Sequence, residues 1–131
     1  GFLLSTVLYI HESHGIKTAI LDVSFTAHMP DTLEMPYRPK VRGANEAGEG
    51  LFQYRLGGTS CLAGDYMEKY GFQKPLKVGD RLILEDMIHY TMVKTTMFNG
   101  VSHPMICILR TDGKLQIVKE FSYQDFKGRL S

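Results

Sequence analysis

Short runs of β-branched, aromatic and aliphatic residues, each bounded by a turn signal, constrain the fold of this sequence most strongly. Such runs occupy residues 2–10, 18–25, 52–56, 76–84, 105–110 and 114–121, and His14-Gly15 bounds the first two. Asp112-Gly113 between the last two runs is a strong hairpin signal. Residues 123–130 are compatible with a terminal helix, with Ser122 as its cap and Asp125 at the third helical position. The pattern predicts a mainly all-β barrel or sandwich domain with one or two short helices.

Two stretches do not fit this strand pattern. Three prolines, Pro30, Pro36 and Pro39, fall within residues 28–39 and exclude a central strand or a long helix there. Residues 43–50 contain glycine and acidic residues and are typical of a connector. We therefore expect irregular structure to separate the first strands from the later ones.

Length, charge and cysteine content place the chain in a broad class. With 131 residues, the sequence predicts one domain over residues 1–131, long enough to bury a core. A net charge of +1 gives no electrostatic footprint for nucleic acid or an anionic membrane, and no apolar run has the length of a membrane span. The two cysteines favour reduced thiols in a cytoplasmic protein over a disulfide, and Cys107, in the apolar run 105–109, is expected to be buried. The sequence has no initiator Met and starts within a predicted strand, so we expect it to be cut from a longer chain.

The most informative segment is 57–65, Gly-Gly-Thr-Ser-Cys-Leu-Ala-Gly-Asp. Three glycines in eight residues indicate a backbone in unusual conformations, or one that a ligand approaches closely. Cys61 in such a segment can face a cleft and serve as a proton donor or a nucleophile. A β-turn with an incidental thiol is the alternative, and these residues alone leave it open.

Other polar residues give weaker signals. Asp31 and Glu34 lie in the proline-bounded segment, and carboxylates on a rigid irregular loop can hold a cationic ligand. A solvated surface loop explains them equally well. His28 is typical of a hydrogen-bonded structural histidine, and His11 with His14 lacks a further ligand at metal-binding spacing, so no metal site is predicted. The sequence contains no phosphate-binding loop, dinucleotide-binding fingerprint or nucleophile elbow.

The segment 57–65 resembles the cysteine motif of the fold type III pyridoxal-phosphate decarboxylases, which include ornithine, diaminopimelate and carboxynorspermidine enzymes. Tyr90-Thr91, followed by Phe98-Asn99-Gly100, is similar to the tyrosine element of that family, where a short helix begins at Tyr-Thr. Other branches usually place an acid directly after the cysteine, whereas Leu62 stands here. Leu62 and the segment 28–39 both resemble the carboxynorspermidine branch.

The resemblance implies that the chain is the C-terminal β-domain of a larger enzyme. In that family an N-terminal (β/α)8 barrel holds pyridoxal 5'-phosphate through a Schiff-base lysine, so this lysine would lie outside the chain. Two subunits pair head to tail as a homodimer, and each β-domain completes the site of its neighbour. Cys61 is then expected to be the catalytic proton donor, and Tyr90 to contact the cofactor. The expected substrate-binding residues are His28, Asp31, Glu34 and Asp65, whose carboxylates would meet the ammonium groups of a polyamine.

The implied reaction is decarboxylation of carboxynorspermidine or carboxyspermidine to norspermidine or spermidine, in polyamine biosynthesis. The chain by itself would be inactive, because it lacks the barrel. Two alternatives stay open: a diaminopimelate- or ornithine-type decarboxylase domain, and a non-catalytic β-barrel binding module in which the cysteine is structural. The choice of triamine precursor, the pairing of the isolated domain and the match of carboxylates to amines are also open.

Overall fold

The computed structural model describes residues 1–46 and 51–131, and within these ranges the chain is mainly β. The strands are β1 (Phe2–Ser13), β2 (Ile16–Leu21), β3 (Ala44–Glu46), β4 (Phe52–Gly57), β5 (Tyr66–Phe72), β6 (Arg81–Glu85), β7 (Ile106–Leu109) and β8 (Leu115–Lys119). The helices are α1 (Phe25–His28), α2 (Pro30–Glu34), α3 (His89–Val93) and α4 (Tyr123–Leu130), with a 3₁₀ turn at Phe98–Gly100. The predicted fold class is confirmed. Part of the predicted connector 43–50 lies outside the described residues.

Six strands form one curled sheet in the order β3-β5-β4-β2-β1-β6, and β7 pairs with β8 in a separate hairpin. Every neighbouring pair is antiparallel except β2 and β4, which run parallel with Ile20 opposite Gly57. Parallel strands end at the same edge of a sheet. The chain therefore leaves β2 toward α1, and β4 toward the following loop, on the same side of the molecule.

The hydrophobic core packs side chains of the sheet against α1 and the residues that flank it. Its buried members are Val7, Ala19, Leu21, Val23, Phe25, Met29, Val41, Tyr54, Leu56, Tyr70, Phe72, Leu82, Leu84 and Met87. Phe25 in α1 and Met29 directly after it are fully buried, and burial of such a side chain stabilises by about 1.5–3 kcal/mol. A helix of only four residues is thus held in place by packing, not by its own hydrogen bonds.

The predicted local signals are largely confirmed. His14 (φ 51°) and Gly15 (φ 74°) make the turn between β1 and β2 with two left-handed residues, as tight hairpins require. Ser122 and Asp125 form a full capping box at the start of α4. Three expectations were wrong: the predicted strand 18–25 ends at Leu21, Ala44–Glu46 of the predicted connector 43–50 form strand β3, and Cys107, expected to be buried, is half-buried. Both cysteines are free thiols, and among the described helices none has the length and apolar character of a membrane span.

Candidate functional site

The loop between β4 and β5, residues 58–65, carries Cys61 at the surface and has an unusually well-satisfied backbone. Five consecutive backbone N–H groups donate hydrogen bonds: Gly58 to Asp65 O (2.7 Å), Thr59 to Val23 O (3.1 Å), Ser60 to Asp65 Oδ2 (3.0 Å), Cys61 to Asn99 Oδ1 (3.1 Å) and Leu62 to Ser60 Oγ (3.4 Å). Backbone groups of an exposed loop are free to bind water instead. Here the protein itself fixes the path of the chain through Cys61.

Asp65 organises one side of this loop. Its side chain is buried at 5% exposure, and Oδ2 accepts hydrogen bonds from Ser24 Oγ (2.9 Å) and the Ser60 N–H (3.0 Å). Its Oδ1 accepts from the Thr26 N–H (3.0 Å). Burial alone would raise the pKa of Asp65, but the hydrogen bonds from Ser60, Thr26 and Ser24 outweigh it and lower the pKa below its usual range. The group is therefore held as a carboxylate that ties the loop to α1.

Two small residues make this arrangement possible. A Cβ on Gly58 would lie 2.4 Å from Asp65 Oδ2, so only glycine lets the carboxylate approach the loop backbone. Ser24 is the N-cap of α1, and its Oγ accepts a hydrogen bond from the Ala27 N–H (3.0 Å) while donating to Asp65. One hydroxyl thus starts the helix and anchors the loop.

His28, at the end of α1, joins this helix to the segment that follows α3. Its Nδ1 accepts from the Ser24 N–H (3.1 Å), because a backbone N–H can only donate. Its Nε2 must then carry the proton and donate to the Ser102 carbonyl (2.9 Å). Burial lowers the pKa of His28, so the neutral tautomer with hydrogen on Nε2 is the stable form. Thr96 adds a second link, since its N–H donates to the Ala27 carbonyl (2.7 Å).

Tyr90 lies on α3 with 68% of its surface exposed, and the next residue anchors the helix. Thr91 is buried, and its Oγ1 donates to Asp31 Oδ2 (2.7 Å); the Tyr37 hydroxyl donates to the same oxygen. Asp31 is 1% exposed, and its Oδ1 has no hydrogen-bond partner among the described residues. Asp31 therefore fastens α3 to α2 from the inside.

Glu34 makes the corresponding contact at the surface. Its carboxylate forms an ion pair with Lys94, the residue that ends α3, and 55% of the Glu34 side chain is exposed. Such exposed pairs contribute about 0–1 kcal/mol to stability. Of the four residues expected at a substrate, Glu34 is the one whose charged group reaches solvent.

The structure brings together the helices and loops that carry the predicted site residues. Several of these residues, however, form hydrogen bonds with other residues of this chain. The loop of Cys61 contacts the 3₁₀ turn that follows the helix of Tyr90, and both side chains are exposed. His28, Asp31 and Asp65 are buried and hydrogen-bonded. Contact of these three with a substrate stays a prediction, and their geometry favours an organising role.

Sequence reasoning assigned no role to three residues that build the site: Ser24, Thr91 and Asn99. Thr91 and Asn99 belong to the motif that resembles the tyrosine element, and Asn99 also had a local signal, because Asn-Gly pairs adopt left-handed backbone and Asn99 (φ 59°) and Gly100 (φ 72°) do so here. In the described parts of the chain no group of His, Cys, Asp and Glu is arranged to hold a metal ion.

A cavity of about 440 Å³ lies between the start of β1, α3 and the β7–β8 hairpin. Its lining includes His28, Thr91 and His103 with many apolar side chains, but neither Cys61 nor Tyr90. The exposed thiol and phenol therefore do not line this cavity, and both face outward from this chain.

Comparison with known proteins gives consistent matches. Residues 1–88 match the family described as "Pyridoxal-dependent decarboxylase, C-terminal sheet domain". The chain is 61% identical, over 99% of its length, to a carboxyaminopropylagmatine decarboxylase of a Synechocystis species. It is 43% identical, over 98% of its length, to a carboxynorspermidine/carboxyspermidine decarboxylase of Campylobacter jejuni. These matches cover 34% and 36% of the two relatives, so the chain spans about a third of their length.

Solved structures agree with these matches. The crystal structure of carboxynorspermidine decarboxylase from Campylobacter jejuni, complexed with norspermidine, superposes with a TM-score of 0.93 at 42% identity, covering 98% of this chain and 38% of that one. Diaminopimelate decarboxylase from Helicobacter pylori shares the fold, with a TM-score of 0.78 at 18% identity over 98% of this chain and 31% of that one.

Proposed function

Because the chain belongs to the pyridoxal-dependent decarboxylases and matches their C-terminal sheet domain, we propose that it supplies part of the active site of a carboxylated-polyamine decarboxylase. The proposal rests mainly on the loop 58–65. This loop presents an exposed thiol on a backbone in which five consecutive N–H groups donate hydrogen bonds. An exposed thiol on a hydrogen-bonded backbone has no evident task in the stability of the fold. Such a thiol is suited to contact a substrate that is bound to another part of the enzyme.

Cys61 is the proposed proton donor. When the carboxyl group leaves the substrate as CO₂, its bonding electron pair stays on carbon, and a proton must replace it there. The Cys61 thiol gives that proton, and the resulting thiolate regains one from water. A positioned acid of this kind contributes about 10²–10⁴-fold to rate.

Pyridoxal phosphate supplies the electron sink that stabilises the charge left on that carbon. Within the described residues, the exposed phenol of Tyr90 is suited to contact it, whereas Lys94, which follows the same helix, is engaged by Glu34. We therefore assign Tyr90 to orient the cofactor. The lysine that holds the cofactor is proposed to lie outside this chain.

Two substrate types compete. Carboxynorspermidine or carboxyspermidine is supported by the TM-score of 0.93 with the Campylobacter jejuni enzyme. Carboxyaminopropylagmatine is supported by the higher identity of 61% to the Synechocystis enzyme. Both offer cationic nitrogen at the end distant from the reacting carbon. Glu34 is the proposed contact because its carboxylate reaches solvent, and the substrate cation would compete with Lys94 for it. Carboxynorspermidine or carboxyspermidine is the first candidate substrate. Carboxyaminopropylagmatine, which sequence identity alone supports, is the second.

Three features concern the complete protein. We propose that it contains a cofactor-binding barrel, that it is a homodimer in which each sheet domain serves its partner's barrel, and that it is cytoplasmic. The outward-facing thiol and phenol support the second feature. The two free cysteines fit a reducing compartment.

The test is steady-state kinetics of the complete protein that carries this chain, with CO₂ release and amine product measured for each of the three precursors. We expect kcat/KM for one precursor to exceed the others by at least about tenfold, a difference of about 1.4 kcal/mol in transition-state binding. The C61A variant should lose about 10²–10⁴-fold in kcat with little change in KM.

C107A is the matched control, since Cys107 is a free thiol on the hairpin outside the loop. It should retain wild-type kcat. A C61A enzyme with wild-type turnover eliminates Cys61 as the donor, and absence of CO₂ release from all three precursors contradicts the decarboxylase assignment.

A further inference from the structure

Asn99 holds an uncommon backbone conformation for a non-glycine residue. Its φ of 59° and ψ of 17° lie in the left-handed region, inside the 3₁₀ turn Phe98–Gly100. Asparagine tolerates this region better than most residues, but glycine adopts it with less strain. We therefore expect the Asn99 side chain to make a contact that glycine could not make.

That contact is the hydrogen bond to Cys61. Oδ1 of Asn99 accepts from the Cys61 N–H at 3.1 Å, across 38 residues of sequence. The contact is exposed, so its contribution to folding is modest, of the order that an ordinary hydrogen bond gives. Its main effect is to fix the position of the Cys61 backbone, because it joins that backbone to the segment that follows α3.

The turn itself is firmly seated. The Gly100 N–H donates to the Met97 carbonyl (2.9 Å), and the Val101 N–H donates to the Phe98 carbonyl (3.2 Å). On its N-terminal side, Thr96 is bonded to α1 through the Ala27 carbonyl at 2.7 Å. Asn99 thus projects from a fixed point toward the loop.

We infer that Asn99 is the positioning residue of the Cys61 thiol, which it couples to the α3 segment that bears Tyr90. The inference rests on the proposed function, in which Cys61 donates a proton and Tyr90 meets the cofactor. Asn99 is not proposed to meet the substrate or the cofactor; it acts by keeping the Cys61 backbone in one place. Asp65 Oδ2 accepts a hydrogen bond from the N–H of Ser60, the residue before Cys61. Two side-chain oxygens, one from Asp65 and one from Asn99, therefore hold consecutive N–H groups of the loop.

The experiment compares N99G with N99D in the complete protein. Glycine keeps the left-handed backbone and removes the acceptor, whereas aspartate tolerates the same backbone and keeps an acceptor oxygen. We expect N99G to speed amide hydrogen exchange at Cys61 by about 3- to 10-fold, since an exposed hydrogen bond is lost, and N99D to stay within about twofold of wild type.

Turnover supplies the second readout. N99G should lower kcat by about 10- to 100-fold with KM changed by less than about threefold, and N99D should restore most of kcat. A Cys61 amide that exchanges equally in N99G and wild type overturns the inference, whatever the activity. So does faster exchange in N99G with undiminished kcat.

Failure of the proposed function has a different signature. If Cys61 is not the proton donor, the C61A variant turns over normally, while hydrogen exchange at position 61 still responds to N99G. The two proposals are therefore separated by one additional variant.

Discussion

Oδ1 of Asn99 accepts a 3.1 Å hydrogen bond from the backbone N–H of Cys61, although 38 residues separate the two in sequence. This contact joins the loop 58–65 to the turn that follows α3. The sheet holds the end of the loop at Asp65. Helix α1 links the loop to the segment after α3, because Ser24 bonds to Asp65 and His28 bonds to the Ser102 carbonyl. The backbone segments that carry Cys61 and Tyr90 thus belong to one hydrogen-bonded assembly.

Asp65 should be the most sensitive side chain of this assembly. The D65A variant leaves three donors without their acceptor, and we expect it to lower the free energy of unfolding by about 2–5 kcal/mol. D65N, which keeps the shape and one acceptor oxygen, should lose less. Urea denaturation measures both, with E12A on the exposed strand β1 as a control expected within about 0.5 kcal/mol of wild type.

The Asp65 contribution should also depend on pH. The folded-state pKa of Asp65 is lowered, so the folded chain binds fewer protons than the unfolded chain in acid. Its stabilising effect is complete above the ordinary aspartate pKa of about 4 and is lost as pH falls through the lowered value. The stability difference between wild type and D65N should therefore shrink below about pH 4. A difference that grows in acid would contradict this assignment.

Gly58 gives a steric test of the same contact. The G58A variant places a Cβ 2.4 Å from an Asp65 oxygen that three hydrogen bonds hold, and we expect a loss of about 1–3 kcal/mol. Gly64 is a matched control in the same loop, since nothing lies within 4 Å of a Cβ built there. G64A should be neutral or slightly stabilising. Equal melting temperatures for the two variants would refute the close approach.

His28 predicts a stability change near pH 6. Its pKa is lowered by burial, so stability is full above the unfolded value of about 6.5 and falls as pH drops toward the folded value, by up to about 1.4 kcal/mol per pH unit. Denaturation curves at pH 7.5 and 5.5 should show a larger loss for wild type than for H28Q. The exposed His89 offers the comparison, because H89Q should follow wild type.

Helices α2 and α3 are joined twice, once inside and once at the surface, which permits a paired measurement. Asp31 is buried and accepts from Thr91, so D31A should cost about 2–5 kcal/mol. Glu34 pairs with Lys94 in solvent, so E34A should cost less than about 1 kcal/mol. If E34A proved the more destabilising change, the buried contact would not be the one that anchors α3.

The strands and caps were predictable because their signals are local. Hydrophobic runs and the pairs His14-Gly15 and Asp112-Gly113 mark the hairpins, and Ser122 with Asp125 marks α4. Strand β5 was not predicted, because the charged residues in Tyr66–Phe72 interrupt the apolar alternation and its first half is only partly buried.

The candidate site was predictable only in its motif residues. Cys61 and Tyr90 follow from the family resemblance, but the partners that hold their segments are remote. Ser24 lies 41 residues before Asp65, and Asn99 lies 38 residues after Cys61. Such pairs form because the sheet brings strand ends together, and a single sequence contains no record of that distance.

The parallel pairing of β2 with β4 has a consequence for how the molecule comes into being. The hairpins β1–β2 and β4–β5 join neighbours in sequence, whereas β2 meets β4 only after a crossover of some thirty residues closes, a kind of step that is slow. Neither hairpin alone contains both Ser24 and Asp65. We therefore expect the thiol loop to acquire its final shape late in folding, after the hairpins β1–β2 and β4–β5 have formed.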